Sequence, residues 1–240
     1  MIRQFRLALL AAAIIPAAVQ AQQGAAALPI RAVLHDPVNP AAELYLPEQS
    51  GQIAKLKLVA EGFSEQQIAL PANGSLVLYN KATIDRQNPA AALAASAQIP
   101  EGMRRALVVV VPNKPGASPA YRMLLIDDSP GKFPGGESRV VNMAGFDAAM
   151  EAGEHKLPLK SAQITRVPEV TKCDEFNMAQ TNFYYKEGEA WTPFTERRLQ
   201  FLKEFRRVFL IYLTPGSTQP FVTTVLDTIP AEPPKPVERK

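Results

Sequence analysis

The stretch YRMLLIDDSPGKFPGGESRVVNMAGF, residues 121–146, joins two apolar runs across the clearest loop in the chain. Its first run, residues 123–126, is short, apolar and closed by turn residues, which favours a β-strand over a buried helix. Asp, Ser, Pro and Gly then dominate a loop of about ten residues, longer than a tight hairpin needs. The stretch therefore predicts a strand, a long loop and a second strand that begins near Arg139.

Similar strand signals recur on both sides of this loop, as roughly a dozen short apolar runs separated by turn residues. Residues 53–59 alternate aliphatic side chains with Lys55 and Lys57, as in a strand with one face against a core. Residues 107–111, LVVVV, predict a strand covered on both faces. Residues 67–70 and 75–79 predict a hairpin. Residues 90–97 fit either a strand or a short helical turn.

Together these signals predict an all-β fold, an antiparallel β-sandwich of the immunoglobulin-like type. A parallel α/β fold needs helical crossovers, and the pattern shows none. We expect an N-terminal β-sandwich half at 28–128 and a C-terminal immunoglobulin-like half at 133–229, which meet at residues 129–136. The pattern leaves open whether these are two sandwiches or one larger one. Residues 230–240 are rich in Pro and charge and predict a disordered tail.

The first 21 residues have the features of a signal peptide. Arg3 and Arg6 precede an apolar segment at 7–15 that is too short to span a bilayer. Val19 and Ala21 fit the positions that a signal peptidase reads, so the mature chain is expected to start near Gln22. An uncleaved membrane anchor is the less favoured alternative. We therefore predict an exported protein, periplasmic or extracellular, with no membrane span after cleavage.

Charge and cysteine content exclude several classes of partner and of stabilisation. The chain has 26 Lys and Arg against 23 Asp and Glu, and loss of Arg3 and Arg6 leaves a net charge of +1. Without a basic cluster, neither nucleic acid nor an anionic membrane surface is predicted as a partner. Cys173 is the single cysteine of the sequence, so it has no intrachain disulfide partner. A buried or inert thiol is favoured over pairing with another chain.

A family resemblance is carried by residues 138–160, SRVVNMAGFDAAMEAGEHKLPLK. This segment resembles secreted immunoglobulin-like repeats in which an R-V-x-N strand precedes a short hairpin and a polar-ended strand. Residues 204–227 are similar to the end of envelope proteins of unassigned function. The resemblance covers the C-terminal half and implies a sandwich fold, a strand at 146–150 and a surface or periplasmic module. It supplies no catalytic residues.

The residues needed for common hydrolytic and metal chemistry are sparse. His35 and His155 are the only histidines of the sequence, and neither lies in a G-x-S-x-G or comparable context. Two histidines and one cysteine are too few for a structural zinc site. We therefore predict no catalytic, metal or cofactor-binding residues.

Adjacent carboxylates are the remaining enzymatic signal. They occur as Asp127 with Asp128 in the central loop and as Asp174 with Glu175 after Cys173. A glycosidase needs two carboxylates on opposite sides of a bond, which adjacency in sequence does not indicate. Turn formation is the favoured interpretation of the first pair.

An aromatic cluster gives the candidate contact site. Strand alternation predicts that Tyr184 points away from Phe183 and Tyr185, and Trp191 opens the next element. Exposed Tyr and Trp side chains are typical of contact surfaces, although core packing is the commoner use of such residues. The leading hypothesis is an exported, non-enzymatic interaction or structural module, with an envelope or extracellular protein or a glycan as partner. The alternative is a carbohydrate-binding or carbohydrate-active protein.

Overall fold

A computed structural model of the chain describes residues 26–228, except residues 49, 51, 60, 61, 86, 115 and 215. The predicted signal peptide and the predicted C-terminal tail lie outside these residues. The described residues form sixteen strands and one short 3-10 turn, Pro89–Ala92.

Eight strands belong to the N-terminal half: β1 (Leu28–Leu34), β2 (Tyr45–Pro47), β3 (Ile53–Lys55), β4 (Gln67–Ala69), β5 (Ser75–Tyr79), β6 (Leu93–Gln98), β7 (Ala106–Pro112) and β8 (Tyr121–Asp127). Eight belong to the C-terminal half: β9 (Ser138–Asn142), β10 (Ala148–Ala152), β11 (His155–Leu159), β12 (Ile164–Val167), β13 (Met178–Glu187), β14 (Ala190–Gln200), β15 (Phe205–Tyr212) and β16 (Phe221–Thr228).

The strands form four sheets of four strands each. Sheet A has the order β4-β1-β7-β8, and sheet B has the order β3-β2-β5-β6. Sheet C has the order β12-β9-β15-β16, and sheet D has the order β11-β10-β13-β14. All pairings are antiparallel except β1 with β7 and β9 with β15. The prediction of an all-β, largely antiparallel sandwich fold is confirmed, and the strands form two pairs of sheets.

The two halves share one topology. Adding eight to each strand number of sheet A gives the order of sheet C, and the same addition converts sheet B into sheet D. The single parallel pair also recurs at the equivalent place, as β1 with β7 and β9 with β15. The chain is therefore an internal duplication of an eight-strand unit at the level of topology.

Three apolar layers hold the four sheets together. Sheets A and B enclose one core, which includes Ile30, Leu78 and Val108. Sheets C and D enclose a second, which includes Met150, Phe183 and Phe209. A third layer joins side chains of sheets A and C, namely Val33, Leu107, Val109, Val111, Ile126, Val141, Val208, Leu210 and Val225, with Phe133 of the intervening loop. The sheets are therefore stacked in the order B, A, C, D.

This stacking explains why β7 is apolar at every position. Val108 and Val110 pack into the core with sheet B, whereas Leu107, Val109 and Val111 pack against sheet C. All five side chains are buried, which confirms the prediction of a strand covered on both faces. Because pleated side chains alternate, a central strand between two layers has no water-facing side.

A buried ionic cluster crosses the layer between sheets A and C. The Arg31 guanidinium donates two hydrogen bonds to Asp227, of 2.7 and 2.9 Å, and two to Asp128, of 3.1 and 3.2 Å. Arg206 donates to both carboxylates, and its second terminal nitrogen donates to the Phe133 carbonyl at 2.9 Å. Each arginine thus binds one aspartate of its own half and one of the other half, which fixes the two halves relative to each other.

Several local predictions can be compared with these strands. The hairpin predicted at residues 67–70 and 75–79 is wrong, because β4 joins sheet A beside β1 while β5 joins sheet B beside β2 and β6. Residues 90–97 combine both alternatives, since the turn Pro89–Ala92 leads directly into β6. The loop after β8 leads to β9, which begins at Ser138.

Removing one carboxylate of the ionic cluster should weaken the whole fold. We expect Asp227→Ala to lower the free energy of unfolding by about 3–5 kcal/mol, because Arg31 and Arg206 would stay buried and each would lose one of its two carboxylate partners. Urea denaturation followed by circular dichroism measures the change. The control Glu189→Ala removes an exposed ion pair with Lys186 and should cost less than about 1 kcal/mol. Equal losses in the two variants would contradict this role of the cluster.

Candidate functional site

Tyr184 and Trp191 meet on the outer face of sheet D, where they line one open groove. Its volume is about 380 Å³. The lining residues come from all four strands of the sheet and are Ala149, Met150, Glu151, Lys156, Leu157, Pro158, Tyr184 and Trp191. We call this feature the sheet D groove. The two residues selected from the sequence are therefore brought together at one site.

The pleat of β13 and its pairing with β14 place the two rings. Phe183 and Tyr185 point into the core and are buried, whereas Tyr184 between them is half-buried on the other face, as predicted. Trp191 is the register partner of Lys186, two residues from Tyr184, and is therefore on the same face. The register shifts by one residue between Phe183 and Tyr184, which indicates a local bulge. Trp191 remains 50% exposed.

A polar network borders the rings across three strands. The Tyr184 hydroxyl donates to Glu151 Oε2 at 3.0 Å and accepts from Asn182 Nδ2 at 3.2 Å. Lys156 Nζ lies 2.8 Å from Glu151 Oε1. These contacts follow from register, because Glu151 pairs with Lys156 on one side and with Asn182 on the other. The ammonium group of Lys156 and the hydroxyl group of Tyr184 together lower the pKa of Glu151.

Sequence reasoning missed Glu151, Lys156 and Pro158 as members of this site. Each is separated from Tyr184 by more than 25 positions, so only the pairing of β10 with β11 and β13 brings them together. The alternation of β10 does contain a signal, because Ala148, Met150 and Ala152 are buried while Glu151 faces outward. The strand order cannot be read from that alternation alone.

The two histidines of the sequence lie in other parts of the structure. His35 contacts the edge of the Tyr212 ring at 4.2 Å between centroids, and burial lowers the pKa of His35. His155 Nε2 lies 3.0 Å from the Glu169 carbonyl oxygen. Neither histidine belongs to the lining of the sheet D groove.

The adjacent carboxylates divide between turns and the interior. Asp127 accepts hydrogen bonds from the backbone and side chain of Ser129, and Asp174 accepts from the amides of Phe176 and Met178. Turn formation thus describes Asp127, but Asp128 is a buried member of the ionic cluster. Across residues 26–228, apart from the seven omitted positions, no group of three or more His, Cys, Asp and Glu side chains is arranged to hold a metal ion.

Cys173 lies in a separate cleft of about 440 Å³ beside Phe201. Its thiol is half-buried, with Sγ 3.6 Å from the Val170 carbonyl oxygen. Burial, assisted by the negative charge of Glu154, raises the pKa of Cys173. The reactive thiolate is therefore disfavoured at neutral pH, as expected for an inert thiol.

The chain has no match among protein-family models or among curated proteins. In the part of the chain that the structure describes, no helix has the length and apolar character needed to cross a membrane.

The contacts of Glu151 with Lys156 and Tyr184 predict how its pKa changes when either partner is replaced. Replacement of Lys156 by Met should raise the pKa of Glu151 toward that of a free side chain, and Tyr184→Phe should raise it less, because the Lys156 contact is the stronger cause of the shift. Carboxyl ¹³C NMR across acidic pH measures both values. Lys160→Gln, whose partner is Asp147, is the control that should leave Glu151 unchanged. An ordinary pKa of about 4.3 for Glu151 in the unmodified chain would contradict the network.

Proposed function

We propose that the protein is an exported, non-enzymatic β-sandwich module of the cell envelope or extracellular space. Its contact surface is the outer face of sheet D around Tyr184 and Trp191. The observation that carries the proposal is the open groove that combines these two rings with the Glu151–Lys156 pair on one rigid sheet. Sites on paired strands hold their geometry better than sites on loops.

The layer order supports the choice of surface. Sheets A and C bury their outer faces against each other, so those faces offer little surface to a partner. The outer faces of sheets B and D remain. Open clefts of about 860 and 1030 Å³ occur in the N-terminal half, but the described residues that line them include no aromatic side chain. Contact surfaces that bind strongly are enriched in Trp and Tyr, which favours the sheet D groove.

Export is supported by the sequence of residues 1–21, with its two arginines, short apolar segment and small residues before Gln22. The relationship to secreted immunoglobulin-like repeats is also part of the proposal. Its support is the R-V-x-N strand, residues 139–142, and the repetition of one eight-strand topology in the two halves.

Export has a direct test. Expression of the full chain in a Gram-negative host should give a mature product in the periplasm or medium with Gln22 as its first residue, because the segment before it is read by signal peptidase. Cell fractionation and mass spectrometry of the amino terminus measure this. As a control, Ala21→Arg places a large charged side chain at the cleavage position and should block processing. An unprocessed chain confined to the cytoplasm would overturn this part of the proposal.

The contact surface has a second test. A photo-crosslinking phenylalanine derivative at position 191, which keeps an aromatic ring in place of Trp191, should capture a partner, protein or glycan, in the native host. The same amino acid at Phe176, which is 66% exposed in a turn outside the groove, should not capture it. Loss of the cross-link on Tyr184→Ala would assign it to the groove. Equal capture from positions 191 and 176, or none from 191, would contradict the proposed surface.

A further inference from the structure

We infer that the sheet D groove binds a neutral glycan through one or two pyranose rings. This inference names the ligand class of the contact surface and so rests on the proposed function. Its basis is the combination of exposed rings, balanced charges and central strands whose backbone is already paired on both sides.

The two central strands of the groove, β10 and β13, are unavailable to an added strand. Tyr184 lies on β13, which pairs with β10 on one side and with β14 on the other. A peptide that binds by strand addition needs a free sheet edge, because its affinity comes from main-chain hydrogen bonds. A ligand that lies over β10 and β13 must therefore be recognised through side chains, whereas a strand could add only beyond β11 or β14, at the edges of the sheet.

The rings and the apolar lining suit the C–H face of a sugar. Trp191 is half-exposed, and Tyr184, Pro158 and Ala149 extend the apolar surface beside it. Aromatic faces carry partial negative charge and attract positively polarised groups such as the axial C–H bonds of a pyranose. A groove of about 380 Å³ lies at the small end of ligand sites, which fits one or two rings rather than a protein surface.

The charges in the lining cancel each other. Glu151 and Lys156 are its one anionic and one cationic side chain, and they form an ion pair at 2.8 Å. An anionic or cationic ligand would therefore gain no net attraction. A hydroxyl group both donates and accepts hydrogen bonds, so it can bind the carboxylate and the ammonium at once. Lys156 is 81% exposed at its side chain and keeps free N–H donors for this purpose.

The number of carboxylates in the groove favours binding of a glycan over its hydrolysis. A glycosidase requires two carboxyl groups about 5–10 Å apart across the scissile bond. Among the described residues that line the groove, Glu151 is the single carboxylate, and its lowered pKa makes it a poor proton donor at neutral pH. Tyr184 and Glu151 thus orient hydroxyl groups without a second acid to protonate a leaving group.

The N-terminal half supplies a matched comparison. Tyr45, Glu43 and Lys55 repeat the same three residue types near β2 and β3, the counterparts of β10 and β11. The Tyr45 hydroxyl donates to Glu43 at 2.8 Å, and Lys55 Nζ lies 2.5 Å from Glu43. This trio has no tryptophan beside it, since Trp191 is the single tryptophan of the chain. Tyr45→Ala is therefore a control for Tyr184→Ala with the same side-chain chemistry in the other half.

Intrinsic fluorescence tests the inference directly, because the one tryptophan is the proposed stacking platform. Soluble neutral gluco-, galacto- and manno-oligosaccharides are titrated into the purified full-length mature chain. We expect a saturable change of Trp191 emission with at least one of them. For a neutral ligand the affinity should change little between about 0.05 and about 0.5 M salt, since screening acts on charges.

Variants then locate the binding. Calorimetry with the active oligosaccharide should show that Tyr184→Ala and Trp191→Ala weaken binding by about tenfold or more. Tyr45→Ala and Phe176→Ala should bind like the unmodified chain. Lys156→Met should also weaken binding, although its ring surfaces are retained. Circular dichroism verifies that each variant is folded.

The outcomes separate this inference from the proposed function. If no neutral oligosaccharide shifts Trp191 emission, or only charged glycans do so and lose affinity with salt, the neutral-glycan inference is overturned. Cross-linking to a protein from position 191 would in that case still support the contact surface. If cross-linking from position 191 also fails, both are overturned.

Discussion

Burial of sheet A against sheet C is the constraint on which the rest of the structure depends. The central strand β7 is apolar at every position, so both of its faces are apolar. A single sandwich would cover one of these faces and leave the other in water. Sheet C has the same property along β15, where Val208 and Leu210 face sheet A while Phe209 and Ile211 face sheet D. Each half covers the apolar face that the other cannot cover alone.

The buried ionic cluster sets how sheets A and C are aligned across this apolar layer. An apolar contact between two sheets is non-directional. One sheet can therefore slide over the other at little cost in free energy, as long as the buried apolar area stays the same. Arg31 and Arg206 bind Asp128 and Asp227 through directional, charge-assisted hydrogen bonds that cross between the halves. Phe133 adds a further fixed point, because the guanidinium groups of Arg139 and Arg206 both lie over its ring, at 4.3 and 4.5 Å from the ring centroid. The cluster therefore defines one relative placement, whatever its net contribution to stability.

The sequence was sufficient to predict most individual strands, but not which strands pair with each other. The run LVVVV predicts strand type and burial correctly, because both depend on the two-residue pleat. At residues 53–59 the predicted alternation of burial holds, but the strand itself, β3, covers only Ile53–Lys55. The hairpin at 67–70 and 75–79 fails because β4 and β5 enter different sheets, a choice made by distant strands. Asp128 resembled a turn residue because its partners, Arg31 and Arg206, are 97 and 78 positions away. The duplication is likewise hidden, since β7 (ALVVVVP) and β15 (FRRVFLIY) share a role more than a sequence.

The stack of four sheets leaves its two water-facing surfaces on opposite sides of the molecule. Sheet B ends the stack on one side and sheet D ends it on the other, with three apolar layers between them. A molecule immobilised through the outer face of sheet B therefore presents Tyr184 and Trp191 away from its support. In that orientation the proposed contact surface stays open to solution, and the fold requires no redesign.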